Sequence, residues 1–236
     1  MKNIVIGGAS GAVGTGLVRH CLAQGHRVVA VVRDEDKKEH LQAQLGADAR
    51  TLERLHFVVS TYEDEAGIAR LQGQLDSLGR LDIVIASLGG WYHGPPLAHL
   101  PLADWHTVVN NSLASHFQFA KALMPLLEKA RSGTYVMING GAAEFPAPQS
   151  GVISVMAAAQ KMMGQVLHQE ARAHGVQVFG VAAFALVQTS RTADVPGLWL
   201  SAEDIAAYVL DLAENPAPAT SHYWHKLQSP EDLPAR

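Results

Sequence analysis

Ile4-Val5-Ile6-Gly7-Gly8-Ala9-Ser10-Gly11-Ala12-Val13-Gly14 is the stretch of sequence that decides the fold. A short apolar run, typical of a buried strand, leads into Gly8, Gly11 and Gly14, which form a G-x-x-G-x-x-G pattern and open a helix. Glycine permits a tight turn and lets backbone N–H groups approach a pyrophosphate, whose charge the positive end of the helix stabilises. Because the pattern stands between a strand and a helix, it predicts a dinucleotide-binding turn rather than a plain glycine-rich loop.

The rest of the chain alternates short strands with helices. Apolar runs rich in Val and Ile predict buried strands at 3–6, 27–32, 55–59, 83–86, 135–138 and 176–182. Helical spacing predicts helices at 13–24, 35–45, 66–78 and 151–174, and a longer one from Asp104, as its N-cap, to a point before Gly133. Right-handed crossovers between parallel strands place helices on both faces of a sheet. We therefore predict a Rossmann-like, doubly wound parallel sheet in three α/β/α layers, with a single domain over 1–236.

Composition restricts the class of protein. The chain has 236 residues, of which 48% are hydrophobic and 17% charged, as in an ordinary globular domain. Its net charge of −4, with Lys and Arg dispersed, argues against a nucleic-acid partner. Cys21 is the only cysteine, so we expect a small core residue in a reducing compartment. The first apolar run is too short for a signal peptide or a membrane span, so we expect a cytoplasmic protein without a membrane partner.

The C-terminal segment 215–236 has a pattern of its own. It contains Pro216, Pro218, Pro230 and Pro234, which predict a wrapped or loose tail. Within it, residues 221–227 are a candidate edge strand.

The end of the second strand bears on the choice of cofactor. In this type of fold, the residue there meets the adenosine ribose, and an acid suits a free 2′-hydroxyl whereas an Arg suits a 2′-phosphate. The position holds Arg33, followed by Asp34. We therefore predict NADP rather than NAD. The competing interpretation is a solvated charge run in which Asp34 binds a ribose hydroxyl.

These motifs together resemble the short-chain dehydrogenase/reductase family over nearly the whole chain. The matching pieces are the glycine turn, Asp82-Ile83-Val84-Ile85-Ala86-Ser87-Leu88-Gly89-Gly90 in place of the family's D-I-L-V-N-N-A-G, Trp105 opening the long helix, Gly175-Val176-Gln177-Val178, and Ser201-Ala202-Glu203-Asp204-Ile205-Ala206. The resemblance implies a seven-stranded parallel sheet with a nicotinamide cofactor at the carboxyl edge of the strands. The cofactor-binding residues that it implies are Gly8, Ser10, Gly11, Ala12, Val13, Gly14, Arg33, Ser60, Ser87 and Gly89.

The resemblance fails at the residues that carry the family's chemistry. The family uses a Tyr as proton donor or acceptor, a Lys four residues later that lowers the pKa of this Tyr, a Ser that binds the substrate oxygen and a helix Asn. A Tyr with an ordinary pKa of about 10 is a poor acid or base at neutral pH. The sequence contains no Y-x-x-x-K, and the positions hold Ile153, Ala157, Gly140 and Ser112 in that order. Moving the frame so that Lys161 takes the Lys position leaves Ala157 in place of the Tyr. We therefore predict a degenerate active site.

No recognisable set of substitute catalytic residues is present. The polar residues expected near the nicotinamide are Tyr92, His93, Asn139, Glu144, Gln149, Ser150 and Ser154, and for each an ordinary role in a loop, helix cap or pocket wall is the simpler interpretation. His93 stands out, because imidazole exchanges protons near neutral pH and, with Tyr92, it follows a strand end where this fold places substrates. The histidines lack metal-site spacing, and the G-x-S-x-G elbow of a hydrolase is absent. We predict no metal and no acyl transfer.

The sequence leaves two functions open. The first is an NADP(H)-dependent oxidoreductase acting on a small-molecule substrate, with an unusual group or a water supplying the proton. The second is a catalytically silent NADP(H)-binding sensor or regulatory partner. By the same resemblance, the helices starting near 104 and 151 are expected to pair in a homodimer or homotetramer, with Phe119, Leu123, Met156 and Met163 as the predicted apolar contacts.

Overall fold

A parallel sheet forms the centre of the protein. The computed structural model describes residues 1–46, 49–215 and 222–234. The strands are β1 (Asn3–Gly7), β2 (Arg27–Val32), β3 (Leu55–Val59), β4 (Ile83–Ala86), β5 (Thr134–Gly140), β6 (Gln177–Ala183), β7 (Val187–Gln188), β8 (Leu200–Ser201) and β9 (Trp224–Leu227). Seven of them form the main sheet in the order β3-β2-β1-β4-β5-β6-β9, with every neighbouring pair parallel, while β7 and β8 pair separately.

Helices cover both faces of this sheet. They are α1 (Ala12–Ala23), α2 (Glu35–Leu45), α3 (Ala49–Leu52), α4 (Glu65–Asp76), α5 (Leu102–Val109), α6 (Ser115–Ala130), α7 (Gly151–Ala171) and α8 (Ala202–Glu214). One wide helical turn, Asn110–Ala114, joins α5 to α6. The predicted Rossmann-like, doubly wound α/β fold with a seven-stranded parallel sheet is confirmed.

The alternation of side chains along the central strands builds two cores, one on each face of the sheet. Ile4 and Ile6 of β1 pack in the core beneath α1 and α8, whereas Val5 points to the opposite face and packs with residues of α4 and α6. In the register of the sheet, Val5 lies between Val29 of β2 and Val84 of β4, both in the same core. Strands buried on both faces read as continuous apolar runs, which is why their positions were predictable.

The start of the α5 region differs from the prediction. Asp104 was expected to be the N-cap, but the helix begins at Leu102, and Pro101 occupies the cap position. The Asp104 carboxylate, in the first turn, instead accepts a hydrogen bond from the Tyr92 hydroxyl at 2.7 Å. The prediction of the N-cap was therefore wrong, because a tertiary partner holds the side chain and proline's fixed φ suits a helix entrance.

The predicted helix-pairing surface also needs correction. Phe119 and Leu123 of α6 are fully buried and Met156 of α7 is 4% exposed, so all three belong to the protomer's own core. Met163 is partly buried against the same core. Phe119, Leu123 and Met163 pack in the core beside the sheet, whereas Met156 packs with Val108 and Val152. The outer faces of α6 and α7 carry other apolar residues.

The predictions for Cys21 and for the C-terminal edge strand are both confirmed. Cys21 lies in the core, where burial raises the pKa of its thiol to about 12, so it is a small apolar residue as predicted. The candidate edge strand in the tail is present as β9, which pairs with β6 at the sheet edge. Pro216, Pro218 and Ser221 lie outside the described residues.

Candidate functional site

The turn between β1 and α1 has the geometry of a phosphate cradle. Gly8 adopts φ +71°, and a Cβ there would overlap the carbonyl oxygen of Ser87, while a Cβ on Gly14 would overlap the carbonyl oxygen of Gly8. A side chain at either position would therefore disrupt the turn. Gly11 is the N-cap residue, and no side chain caps the helix there. The backbone N–H groups of the first turn, which begins with Ala12 and Val13, thus remain available to an anion.

A cavity of about 750 Å³ opens beside this turn. It lies where β1 has β2 on one side and β4 on the other, so the strand order reverses at this point, which is where open α/β sheets bind ligands. Of the predicted cofactor residues, Gly8, Ser10, Gly11, Arg33, Ser87 and Gly89 line the cavity. The structure therefore brings most of the predicted set together around one space.

The remaining predicted residue on the adenine side is placed behind the cavity wall. Ser60 is buried, and its hydroxyl donates to the carbonyl of Thr61 at 3.3 Å. Thr61 and Tyr62 line the cavity in its place, and Tyr62 packs against Phe119 with ring centroids 5.6 Å apart. An aromatic ring fixed in this way offers a face for stacking.

Three cations line the cavity, of which the sequence indicated one. Arg33 follows β2, Lys37 lies in the first turns of α2, and Arg191 comes from the segment between β7 and β8. Within the described part of the chain, none of these side chains has an acidic partner. The carboxylate of Asp34 accepts a hydrogen bond from the Lys37 backbone N–H at 2.8 Å, so it caps α2. Lys37 was missed because it lies in the charged run after Arg33, and Arg191 was missed because its approach to Arg33 depends on the fold.

A buried histidine stands directly behind the cavity wall. His116 is completely buried, and its Nε2 lies 3.3 Å from the carbonyl oxygen of Leu88, which lines the cavity. A carbonyl only accepts, so Nε2–H is the donor and Nδ1 carries no proton. Among the described residues, the His116 Nδ1 atom has no hydrogen-bond partner. Burial lowers the pKa of His116 to about 4, against the opposing effect of the Leu88 hydrogen bond.

The four positions that the sequence resemblance predicts for the catalytic set hold Gly140, Ile153, Ala157 and Ser112. Gly140 ends β5, and the Asn139 amide before it donates to the backbone carbonyl of Ala157 at 3.1 Å. Ile153 packs in a small apolar cluster around Val152 and Met156. Ser112 is buried in the wide helical turn beside Gly89. None of these four residues is a tyrosine or a lysine.

Tyr92 and His93 do not offer an obvious replacement. Tyr92 packs at the edge of the same apolar cluster, and its hydrogen bond to the Asp104 carboxylate raises its pKa, which makes it a weaker acid. His93 is exposed, and neither residue lines the large cavity. Both therefore stay weak candidates.

Glu144, just after the turn that follows β5, is held by two lysines. Its carboxylate contacts Lys161 Nζ of α7 at 2.7 Å and Lys226 Nζ of β9 at 2.6 Å. Lys161 Nζ also lies 4.8 Å from the ring centroid of Trp224. The hydrogen bond from Lys161, followed by that from Lys226, lowers the pKa of Glu144 to about 2. Lys161 is thus engaged in a structural ion pair and not positioned as a partner for a tyrosine.

The other polar candidates serve local structure. Ser154 Oγ accepts from the backbone N–H of Ala147 at 3.0 Å. Gln149 has φ +63°, and its carbonyl accepts from Gly94 N–H at 2.8 Å. Ser150 is buried at the N-cap of α7 without a side-chain capping bond.

The described residues also bear on other classes of site. Among them, no group of three or more His, Cys, Asp or Glu side chains is arranged to hold a metal ion. None of the helices within 1–46, 49–215 and 222–234 is long and apolar enough to cross a membrane.

Comparison with known proteins gives a consistent result. The family model described as short chain dehydrogenase matches residues 2–196. An uncharacterised oxidoreductase of Staphylococcus epidermidis is 25% identical over 191 residues, which cover 81% of this chain and 80% of the relative.

Solved structures show the same fold. A short-chain type dehydrogenase/reductase from Mycobacterium ulcerans superposes with a TM-score of 0.82 at 20% identity, covering 95% of this chain and 87% of that one. ElxO with NADP bound superposes with a TM-score of 0.83 at 18% identity, covering 96% and 97% of the two chains.

Proposed function

This chain belongs to the short-chain dehydrogenase/reductase family, and from that premise we propose that it binds NADP(H) and acts as an oxidoreductase whose proton transfer does not use a Tyr-Lys pair. The observation that carries the proposal is the cavity beside the glycine turn, lined by Arg33, Lys37 and Arg191 without acidic partners in the described chain. A dinucleotide with an additional phosphate supplies negative charge that can pair with these cations. The NADP-bound structure of ElxO supports the choice of cofactor by analogy.

The residues of the cavity divide the binding work by position. The first turn of α1 faces the pyrophosphate with its backbone N–H groups, and Arg33 and Lys37 hold the 2′-phosphate at the ends of β2 and α2. Tyr62 and the backbone at Ser87 and Leu88 enclose the adenine. When bound, a nicotinamide cofactor donates or accepts a hydride. The accompanying proton would come from a substitute group or an ordered water, because Ile153 and Ala157 carry no exchangeable side-chain proton.

A second function follows from the reaction centre itself. The four predicted catalytic positions hold no tyrosine or lysine that could transfer a proton. Lys161 of α7 is paired with Glu144 at 2.7 Å. These observations favour a catalytically silent NADP(H)-binding protein that works as a sensor or a regulatory partner. The two functions share the binding site and differ only in turnover.

One experiment distinguishes the two. Calorimetric titration with NADP⁺ and NADPH establishes binding, and absorbance of NADPH at 340 nm then follows turnover with a panel of small carbonyl and quinone substrates. We expect micromolar binding; oxidation of NADPH above the protein-free rate supports the oxidoreductase. Binding without turnover across the panel supports the silent function, and absence of binding contradicts both.

The preference for NADP is tested at Arg33. We expect Arg33→Gln to weaken NADP⁺ binding by about tenfold to a hundredfold, because a charge-assisted hydrogen bond to phosphate contributes about 1.5 to 3 kcal/mol. NAD⁺ binding should change by less than about threefold. Lys38→Gln is the matched control, since Lys38 pairs with Glu35 and does not line the cavity. An equal loss for both nucleotides would contradict the assignment of Arg33 to the 2′-phosphate.

We further propose that the chain forms a homodimer or homotetramer through the outer faces of α6 and α7. Phe117, Val155, Met162 and Val166 are 55%, 39%, 60% and 47% exposed, and the three on α7 lie on one helix face. We expect Met162→Glu to lower the mass measured by light scattering towards that of one chain. Leu78→Glu, at an exposed position after α4, is the control and should leave the mass unchanged. A monomeric unaltered protein would contradict the proposal.

A further inference from the structure

The loop between β7 and β8 brings a positive charge to the cofactor cavity from a part of the chain remote from the glycine turn. Arg191 lines the same cavity as Ser10, Gly11 and Arg33. Its backbone neighbours Thr189 and Ser190 line a smaller cavity of about 220 Å³ together with residues of α1. Arg191 therefore lies at the α1 end of the groove, whereas Arg33 lies at the end of β2.

Hydrogen bonds within this loop fix the backbone position of Arg191. Thr192 Oγ1 donates to the Val187 carbonyl and accepts from Thr189 N–H, both at 2.8 Å. The N–H of Arg191 itself donates to Thr189 Oγ1 at 3.2 Å. The base of the loop is tied to the fold, because β7 pairs with β8 and Gln188 Nε2 donates to the Leu198 carbonyl at 2.5 Å. The backbone of Arg191 is held in a hydroxyl-bonded turn while its side chain is free to reach a ligand.

The guanidinium charge of Arg191 has no partner among the described residues. Arg191 is exposed and makes no side-chain ion pair or hydrogen bond with the part of the protein that the structure describes. The one carboxylate that lines the cavity belongs to Glu63, against three cations. Like charges around one space repel each other, and a polyanionic ligand removes that repulsion.

We infer that Arg191 is a pyrophosphate-binding residue, which binds the two phosphates held over the first turn of α1 and thereby closes the β7–β8 loop on the nucleotide. The inference rests on the proposed function, because it takes the ligand to be a dinucleotide. It assigns distinct roles to the two arginines: Arg33 binds the 2′-phosphate and Arg191 binds the pyrophosphate. It also makes the position of the loop depend on the phosphates and not on the redox state of the ring.

The test compares ligands that differ by one phosphate. The Kd values of AMP, ADP, NAD⁺ and NADP⁺ are measured by calorimetry for the unaltered protein, Arg191→Gln, Arg33→Gln and the control Arg172→Gln, an exposed arginine beyond α7 that lines neither cavity. We expect Arg191→Gln to weaken ADP, NAD⁺ and NADP⁺ by about tenfold or more and AMP by less than about threefold. Arg33→Gln should weaken NADP⁺ alone among these ligands.

The other outcomes separate the possible failures. If Arg191→Gln weakens NADP⁺ but not NAD⁺, Arg191 reads the 2′-phosphate and the inference is overturned while the proposed function stands. The same holds if all four affinities are unchanged. If the unaltered protein binds none of the four ligands, the proposed function fails and the inference fails with it.

Loop closure gives an independent measurement. Trypsin cleaves after Arg191 in the exposed loop, and intact mass spectrometry reports that cut separately from the cut after Arg172. We expect ADP and NADP⁺ to slow cleavage after Arg191 by about tenfold and AMP to leave it unchanged, with the Arg172 cut as the internal reference. Equal rates at Arg191 with and without saturating ADP would overturn the closure.

Discussion

The glycine turn after β1 and the junction between β5 and α7 are both connections from a strand to a helix at the carboxyl edge of one sheet. At the first, backbone contacts dictate the residue type, since a side chain at Gly8 or Gly14 would overlap a carbonyl oxygen. At the second, Gly140, Ile153 and Ala157 stand where the sequence resemblance predicts reactive groups, and the Asn139 amide donates to the Ala157 carbonyl of α7. We therefore expect nucleotide binding, which depends on the backbone, at the first connection and no Tyr-Lys proton transfer at the second.

The largest expected effect comes from breaking the turn. We expect Gly14→Val to weaken nucleotide binding by at least about a hundredfold, because the side chain overlaps the Gly8 carbonyl and distorts the first turn of α1. Calorimetry measures the affinity, and circular dichroism reports whether the variant is folded. Gly73→Ala is the control: its helix position has no atom within 4 Å of the added Cβ, so it should raise stability by up to about 1 kcal/mol. A folded Gly14→Val that keeps its affinity would remove the contrast between the two junctions.

The same contrast explains what the sequence could predict. Strand and helix positions follow from local periodicity, and the glycine turn follows from steric limits on a few adjacent residues, so both were available before the fold was known. Which face of α6 and α7 is buried depends on how they pack on the sheet, and the assignment of Phe119, Leu123 and Met156 to a surface was wrong for that reason. Arg191 reaches the cavity only because the fold brings a distant segment to it, whereas Lys37 follows Arg33 by four residues and belongs to the charged run after β2. No spacing in the chain indicates the approach of Arg191.

The next effect is a dependence of stability on pH at a buried histidine beside the cofactor cavity. His116, behind the cavity wall, has a pKa lowered by burial to about 4 from the ordinary 6.5. The unfolded chain therefore binds a proton between about pH 6.5 and 4 that the folded chain excludes. The contribution of neutral His116 to the free energy of unfolding is fully present above about pH 6.5. It falls as the pH drops towards 4, by about 3 kcal/mol at about 1.4 kcal/mol per pH unit.

Urea unfolding at several pH values measures this loss. We expect the decline between pH 6.5 and 4 to be shallower in His116→Gln, which keeps an N–H donor for Leu88 but cannot take up the proton. His106→Gln, at an exposed position of α5, should follow the unaltered protein. Identical slopes in all three proteins would show that protonation of His116 does not limit the stability of the cofactor side.

The smallest effect is expected at the β5–α7 junction, where Glu144 ties the turn after β5 to α7 and β9. Its pKa is lowered to about 2 by the hydrogen bonds from Lys161 and Lys226, so its contribution is complete above about pH 4.5 and is lost as the pH falls through about 2. Because Lys226 is 39% exposed and water screens the pair, we expect Glu144→Gln to lower the free energy of unfolding by only about 1 kcal/mol at pH 7. The difference from the unaltered protein should vanish near pH 2.

Glu65→Gln is the matched control for this last change, because Glu65 is 81% exposed and its pair with Lys121 should contribute almost nothing. Nucleotide affinity should be unchanged in both variants, since neither carboxylate lines the cavity. A loss of affinity in Glu144→Gln alone would mean that the β5–α7 junction still takes part in binding. The contrast between the glycine turn and the β5–α7 junction would then no longer hold.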